Sequence, residues 1–229
     1  MSARLVTVNL GVARTEPWAG DTGHTGIDKR PAAHRVAATA LGLAGDSVLD
    51  TRHHGGIDQA AYAYAREDAL WWSRELDRDI EPGRFGENLS TEGLEVTGAV
   101  IGERWAIGTA VFEVSAPRLP CRVFAGFWGV PDLIKRFTAH GAPGAYLRVL
   151  TEGEVGAGDP IEIVHRPGHG VTLGEALRAL TTEPDLLPRL LDAPELPERI
   201  RAKARRRVDA GPERLSAARG SSGPAGRVP

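Results

Sequence analysis

The sequence predicts a mainly β protein with a small helical extension at its C-terminal end. Glycine (28 residues) and proline (16 residues) recur between short runs of β-branched and aromatic residues up to about residue 165. This pattern favours short strands joined by tight turns. Beyond that point the β-branched runs cease and amphipathic, proline-punctuated segments follow. With 41% hydrophobic residues in 229, the chain has enough apolar side chains to bury a core.

Strands are expected wherever β-branched and aromatic residues cluster between turn residues. The clearest candidate strand follows Gly102: its apolar residues Val111, Phe112 and Val114 predict that it is largely buried. The full set of predicted strands is 5–10, 36–41, 60–65, 96–101, 104–114, 146–150 and 160–165.

The first of two helices expected to interrupt the β body begins near Glu67 and Asp68, because carboxylates are favoured in the first turn of a helix. Its buried face is predicted from Ala69, Trp72 and Leu76, which recur at spacings of three and four residues.

The second helix is predicted to have Pro131 at its first helical position and Gly141 as its left-handed stop. Its apolar stripe consists of Leu133, Ile134 and Phe137. In the extension, Thr172 and Glu175 fit a capping box at the start of the first of three candidate helices.

These patterns divide the chain into a β domain (1–167), a helical extension (168–210) and a tail (211–229). The tail is expected to be disordered because its end, from Gly220 on, has almost nothing to bury. The basic run between Arg199 and Arg207 is interpreted as a solvated helix face.

Composition limits the possible partners and the compartment. The 28 Lys and Arg residues are balanced by 30 Asp and Glu, so we expect no nucleic acid polymer and no membrane surface as a partner. No apolar run is long enough to span a bilayer and no secretory signal is recognisable, so we expect a cytoplasmic protein. The single cysteine excludes an intramolecular disulfide and an all-cysteine zinc or iron–sulfur site within one chain.

The densest cluster of reactive side chains surrounds that cysteine, Cys121, which lies between Arg118 and Arg122. Two neighbouring guanidiniums favour the thiolate, the form that binds soft metals. By residue type alone, a buried structural cysteine is the alternative.

Three other segments offer polar groups that are unspecific when each is taken alone. The pair His53 and His54 precedes two glycines and could form a turn with a solvated imidazole. Asn88, in Phe85-Gly86-Glu87-Asn88, could hydrogen-bond a heterocycle. Lys29 and Arg30 could bind a phosphate.

Taken together and in order, six fragments resemble the MOSC family, named for the C-terminal domain of molybdenum cofactor sulfurase, and within it the YiiM type. The resemblance extends from about residue 4 to 208. The fragments are Thr25-Gly26-Ile27-Asp28-Lys29, Gly42-Leu43-Ala44-Gly45-Asp46, His54-Gly55-Gly56, Phe85-Gly86-Glu87-Asn88-Leu89, Pro117-Arg118-Leu119-Pro120-Cys121 and Pro143-Gly144-Ala145-Tyr146.

The resemblance implies a closed or nearly closed MOSC-type β-barrel with peripheral helices. It also implies a molybdenum cofactor (Mo-molybdopterin) and the reduction of N-hydroxylated compounds, including N-hydroxylated bases, to amines, as in the detoxification of such bases. Because the chain lacks thiols for a cluster and any nicotinamide or flavin signature, we expect electrons from a separate reductase. A homodimer is compatible with the sequence.

Site residues follow from the resemblance position by position. Cys121 is expected to ligate molybdenum, and His54 and Asn88 to hydrogen-bond the pterin or the substrate; which of the two adjacent histidines faces the site is open. The expected cofactor-binding residues are Lys29, Arg118, Arg122, Tyr146 and Arg148, the last because it follows Tyr146 by two positions on a strand.

Three alternatives stay open at this stage. Cys121 could carry sulfur or the cofactor to another enzyme without catalysis. The protein could be a metal-free binding module that uses its basic C-terminal helix. A zinc site formed by His53, His54 and Cys121 matches no common ligand spacing.

Overall fold

An eight-stranded sheet forms the centre of the molecule. The computed structural model describes residues 2–20, 23–47 and 55–210. The strands are β1 (Arg4–Gly11), β2 (Arg14–Thr15), β3 (His24–Thr25), β4 (Lys29–Pro31), β5 (Val36–Thr39), β6 (Gly42–Leu43), β7 (Ala61–Ala65), β8 (Leu89–Glu92), β9 (Arg104–Ile107), β10 (Ala110–Pro117), β11 (Ala145–Thr151), β12 (Gly153–Val155) and β13 (Ile161–His165).

The large sheet has the order β13-β9-β10-β11-β7-β8-β1-β4, and a three-stranded sheet (β12-β5-β6) and a β2-β3 ribbon accompany it. Only the β7–β8 pair is parallel among the pairings of the described residues. The predicted fold class is therefore confirmed in part: the large sheet is present, but the described residues also form five α-helices.

The predicted closed barrel is not confirmed. Among the described residues, β13 and β4 end the sheet without pairing with each other. A single bridge joins Arg4 at the start of β1 to Pro160 before β13. Around this bridge, the Leu5 amide donates to the Asp159 carbonyl oxygen and the Ile161 amide donates to that of Ala3, but no ladder forms between β1 and β13.

Two strand predictions need correction. Residues 104–114 form a hairpin rather than one strand, because Gly108 adopts φ +58° at the turn between β9 and β10. Residues 96–101 form no strand: Val96 and Ile101 are buried, but this segment contributes only an isolated bridge from Val100 to Thr172. The other predicted strands are present with small shifts of their ends.

The helices are α1 (Arg66–Leu76), α2 (Arg122–Trp128), α3 (Leu133–His140), α4 (Leu173–Thr181) and α5 (Glu198–Asp209), with a 3-10 turn at Ile57–Gln59 and a 3-10 helix at Pro184–Asp192. None of the helices in the described ranges has both the length and the apolar character needed to cross a bilayer.

The α1 prediction is confirmed, since Ala69 and Trp72 are buried. The α3 prediction is confirmed in part. Gly141 ends this helix at φ +81°, but Pro131 lies outside it because Asp132, in the left-handed region, precedes the first helical residue. The sequence interpretation did not include α2.

In the extension, α4 packs onto β10, the 3-10 helix packs onto α4, and α5 packs onto the 3-10 helix. The Thr172 hydroxyl accepts a hydrogen bond from the Glu175 amide (3.2 Å), which confirms the predicted cap of α4. Buried Leu190 and Ala204 belong to the same apolar cluster as Phe112 of β10. The core is thus continuous across residue 168, and the division into a domain and an extension stays a prediction, as does the disordered tail, which lies outside the described residues.

Candidate functional site

A cavity of about 120 Å³ lies beside the C-terminal end of β10. Its lining comes mainly from the β3–β4 segment, the residues after β6, the segment that leads into β7, the loop before β8, the link from β10 to α2, and β11. Its lining includes Lys29, Asp46, Tyr62, Asn88, Arg118, Cys121 and Tyr146.

The strand register positions the cysteine side of the cavity. Tyr146 of β11 lies opposite Tyr62 of β7 and Ala116 of β10. The chain leaves β10 at Pro117, and Cys121 is the residue that precedes the first turn of α2. The sheet and the short connection therefore hold the partly buried thiol and the Tyr146 phenol at one cavity wall.

Arg118 is the buried cation of this wall, with 5% of its surface exposed. Its guanidinium donates to the Phe85 carbonyl oxygen and lies 4.8 Å from the Phe124 ring centroid and 5.0 Å from that of Tyr62. Across the described part of the chain, no carboxylate lies within 4 Å of it, and its Nε atom is buried without a hydrogen-bond partner. No carboxylate of the described residues therefore neutralises the positive charge at this wall.

Burial and neighbouring groups together set the protonation states of Arg118, Tyr62 and Tyr146 at this wall. Burial alone would lower the pKa of Arg118, but Tyr146, Tyr62 and Cys121 more than offset this, and the pKa is raised overall. Burial also raises the pKa of both tyrosine phenols, and the Arg118 charge only partly opposes it. At neutral pH the wall thus presents a permanent cation and protonated phenols.

A second part of the cavity wall is organised around the Asp46 carboxylate. Its two oxygens accept from Lys29 Nζ at 2.5 and 2.6 Å. The same carboxylate accepts from the Gly11 amide (2.8 Å) and from Asn88 Nδ2 (2.9 Å). Burial lowers the pKa of Lys29, although Asp46 raises it in part. The charge of Lys29 is thus paired within the protein.

Both polar atoms of the Asn88 side chain are hydrogen-bonded to other protein groups. Its Oδ1 accepts from the Tyr62 amide (3.2 Å), and its Nδ2 donates to Asn9 O (3.2 Å) as well as to Asp46. Asn88 therefore fixes the cavity wall rather than offering free hydrogen bonds to a ligand.

The loop that precedes Asn88 is held by a buried carboxylate. Glu87 accepts from the amides of Gly83 (2.6 Å) and Phe85 (3.0 Å) and from the Ser90 hydroxyl (2.8 Å). Burial raises its pKa, and these hydrogen bonds oppose the shift. Gly86 adopts φ +75°, which favours glycine, so the loop can present the Phe85 carbonyl to Arg118.

The structure brings together five of the site residues predicted from the sequence, and it separates two. Arg122 is exposed and does not line the cavity. Arg148 shares a strand face with Tyr146, as expected, but its guanidinium pairs with Asp58 (2.7 Å) and Glu113 (3.0 Å) outside the cavity. The five residues at the cavity are Lys29, Asn88, Arg118, Cys121 and Tyr146.

The structure gives no position for the two histidines predicted near the site. His53 and His54 lie outside the described residues, so the role of His54 and the zinc alternative stay predictions. Within residues 2–20, 23–47 and 55–210, no group of three or more His, Cys, Asp or Glu side chains is arranged to hold a metal ion.

Sequence reasoning gave no role to Asp46, Tyr62 or His24, which also line the cavity. Asp46 is the last residue of one of the six fragments that resemble the family, but it was assigned no role from the sequence. His24 Nδ1 lies 3.0 Å from the Thr15 hydroxyl. His24 directly precedes the fragment that begins at Thr25, but this histidine was likewise assigned no role from the sequence.

Comparison with known proteins gives the family. The model of the MOSC domain matches residues 50–162. Protein YflK of Bacillus subtilis is 35% identical over 174 residues, which cover 76% of this chain and 79% of YflK. The chain belongs to the MOSC domain family.

Two further relatives refine this assignment. The crystal structure of YiiM from Geobacillus stearothermophilus superposes with a TM-score of 0.76 at 30% identity, covering 90% of this chain and 99% of that one. The MOSC protein described here is thus of the YiiM type. A protein of Gibberella moniliformis named "Reductase" is 32% identical over 136 residues, but the match covers only 24% of its length.

Proposed function

We propose that this protein binds a molybdenum–pterin cofactor through Cys121 and reduces N-hydroxylated compounds to the corresponding amines. One observation carries the proposal: in a MOSC protein, the single thiol of the chain lines a cavity beside a buried guanidinium that has no carboxylate partner among the described residues. A relative whose name is "Reductase" supports the redox class of the reaction.

The residues at the cavity fit such a cofactor. A thiolate is a soft ligand suited to a molybdenum centre that also carries sulfur ligands. The buried Nε atom of Arg118, which has no partner among the described residues, could donate to an anionic group. Cys121 would hold the metal, Arg118 would neutralise the dithiolene or the phosphate, and Tyr146 would contact the pterin or the substrate.

The structure suggests different roles for two of the predicted ligands. Because Lys29 and Asn88 are both bonded to Asp46, we assign them to positioning the wall rather than to direct contact with the phosphate or the substrate. Arg122 and Arg148 have no place in the proposed site. His54 is kept as a predicted ligand.

When bound, the cofactor supplies the two-electron chemistry that cleaves an N–O bond. The overall reaction takes up two electrons and two protons, and it releases an amine and water. The chain would exclude bulk water with its aromatic wall, orient the substrate through the Tyr146 phenol and stabilise negative charge through Arg118. The electrons would come from a separate reductase, with a small N-hydroxylated molecule as the substrate.

The test is turnover by holoprotein purified from a host that makes the cofactor. With reduced methyl viologen as the donor, we expect wild type to convert an N-hydroxylated purine base to the amine, and Cys121→Ala to lose both molybdenum and activity. Wild type that contains the cofactor without turnover would favour a sulfur or cofactor carrier. Molybdenum at background in wild type would favour a metal-free binding module.

A further inference from the structure

The last helix, α5 (Glu198–Asp209), combines a firm anchor with an exposed basic face. Ile200 and Ala204 are buried and belong to the main apolar cluster, so the helix is fixed against the body of the protein. Arg199, Lys203 and Arg206 are exposed and follow one another at spacings of four and three residues. This spacing places all three on one side of the helix.

The charge of α5 is concentrated and only partly paired. The helix contains six Lys and Arg residues against two carboxylates, a net charge of +4 in a chain whose net charge is −2. Glu198 lies near Arg201 (3.7 Å) and Arg205 (3.9 Å). For Arg199, Lys203 and Arg206, the described part of the chain contains no carboxylate within 4 Å.

Arg199, at the start of this face, is near enough to the cavity wall for its charge to act on a residue there. The charge of Arg199 acts on the phenol of Tyr146: burial raises the pKa of this phenol, and Arg199 is one of the groups that lower it. A protein bound at Arg199 would therefore lie close to the wall that carries Cys121 and Tyr146.

We propose that the face formed by Arg199, Lys203 and Arg206 docks an acidic electron-carrier protein, which delivers the electrons used in the cavity. This inference rests on the proposed function. The carrier, a reduced flavin or iron–sulfur protein, would give up two electrons in all; two protons would come from solvent, the N–O bond would break, and water would leave. Basic patches of this kind increase the association rate of acidic partners and suit a transient complex.

Charge complementarity favours a compact acidic protein over a nucleic acid. The net charge of the whole chain is −2 and that of α5 is +4, so the rest of the chain has a net charge of −6. A long polyanion that extends beyond α5 would meet this negative remainder. A carrier with a local acidic patch needs to contact only the helix.

The test compares two triple variants of the holoprotein. One carries Arg199→Gln, Lys203→Gln and Arg206→Gln. The matched control carries Arg74→Gln, Lys135→Gln and Arg178→Gln, which remove three exposed cations from α1, α3 and α4. Glutamine keeps the helix propensity of the replaced residues, so both variants should fold, which thermal melting by circular dichroism will verify.

The first readout is the dissociation constant for a flavodoxin, an acidic flavin carrier, measured by calorimetry at low ionic strength. We expect the α5 variant to bind roughly tenfold or more weakly than wild type and the control to stay within about twofold, with a weaker salt dependence for the α5 variant only. Equal affinities for wild type, variant and control would overturn the proposal.

The second readout separates this inference from the proposed function. Turnover with reduced methyl viologen, which needs no docking face, should be the same in wild type and in the α5 variant, while flavodoxin-driven turnover should fall in the variant. If viologen gives no turnover in wild type, the proposed function fails, and the calorimetry still decides docking. Loss of binding to a double-stranded oligonucleotide at physiological salt, with flavodoxin affinity unchanged, would identify a nucleic acid surface and contradict the proposal.

Discussion

Lys29 and Arg118 are two buried cations that line one cavity, and their surroundings differ. Lys29 is bonded to both oxygens of Asp46, which also holds Asn88 and the backbone of β1. Arg118 is bonded to a backbone carbonyl and packed against aromatic rings, and the described residues provide no carboxylate within reach.

This difference indicates separate tasks for the two walls. A buried cation paired with a carboxylate adds little net field and fixes geometry. A buried cation without a carboxylate costs desolvation energy in the empty protein, and this cost is offset when an anionic ligand binds. We therefore assign rigidity to the Lys29 wall and ligand binding to the Arg118 wall.

The largest expected effect on stability is at the paired wall. Asp46→Asn leaves the Lys29 ammonium buried without a counter-charge, so we expect about 3–5 kcal/mol lower free energy of unfolding. Urea denaturation measures it. The control is Glu92→Gln, which breaks the exposed Arg4–Glu92 pair and should cost less than about 1 kcal/mol. Similar losses for the two variants would show that the Lys29–Asp46 pair has no special role.

At the other wall, Arg118→Met should weaken cofactor binding more than folding. We expect roughly 10- to 100-fold lower cofactor affinity, by analogy with the loss of groups that support a metal site. Pterin and molybdenum content measure this. Stability of the cofactor-free protein should fall less than in Asp46→Asn, because no buried carboxylate loses its partner. Unchanged pterin content would remove Arg118 from the binding wall.

The carboxylate of Asp68, which lies outside the cavity, is expected to make the free energy of unfolding depend on pH. Burial, together with Glu95 and Glu67, raises the pKa of Asp68 from 3.8 to about 6. Between these values the folded state binds more protons than the unfolded state, so this group lowers stability as pH rises through the window.

Asp68→Asn should therefore raise the free energy of unfolding at pH 7 by up to about 3 kcal/mol and flatten its slope between roughly pH 4 and 6. Urea denaturation at several pH values tests this, with cofactor content as the control that should not change. A slope that persists in the variant would contradict the raised pKa of Asp68.

The smallest effect is expected at Arg122. Since its side chain is exposed and does not line the cavity, Arg122→Gln should leave the pterin content unchanged and alter stability by less than about 0.5 kcal/mol. A clear drop in pterin content would restore the role that the sequence resemblance implied for this arginine.

Features that depend on nearby residues could be predicted from the sequence. The cap at Thr172 and the left-handed stop at Gly141 follow from local chemistry and are confirmed. Arg118 and Cys121 are three residues apart after a strand, so their proximity at one wall also followed from local order. The split of 104–114 at Gly108 was missed because the apolar pattern continues on both sides of the turn.

Features that depend on distant partners could not be predicted. Asp46 meets Lys29 across 17 residues and Asn88 across 42, and only the fold brings them together. The face of Arg148 was predicted correctly, but Asp58, 90 residues away, and Glu113 bind its guanidinium before it can reach the cavity. Barrel closure likewise depends on which partners β1 takes along its length.

X-ray absorption at the molybdenum edge of the holoprotein tests the ligation by Cys121 most directly. A pterin dithiolene provides two sulfur ligands, so wild type should show three short molybdenum–sulfur distances and Cys121→Ser two. An equal number of sulfur ligands in both proteins would contradict the account, because the thiol at the cavity wall would then not bind the metal.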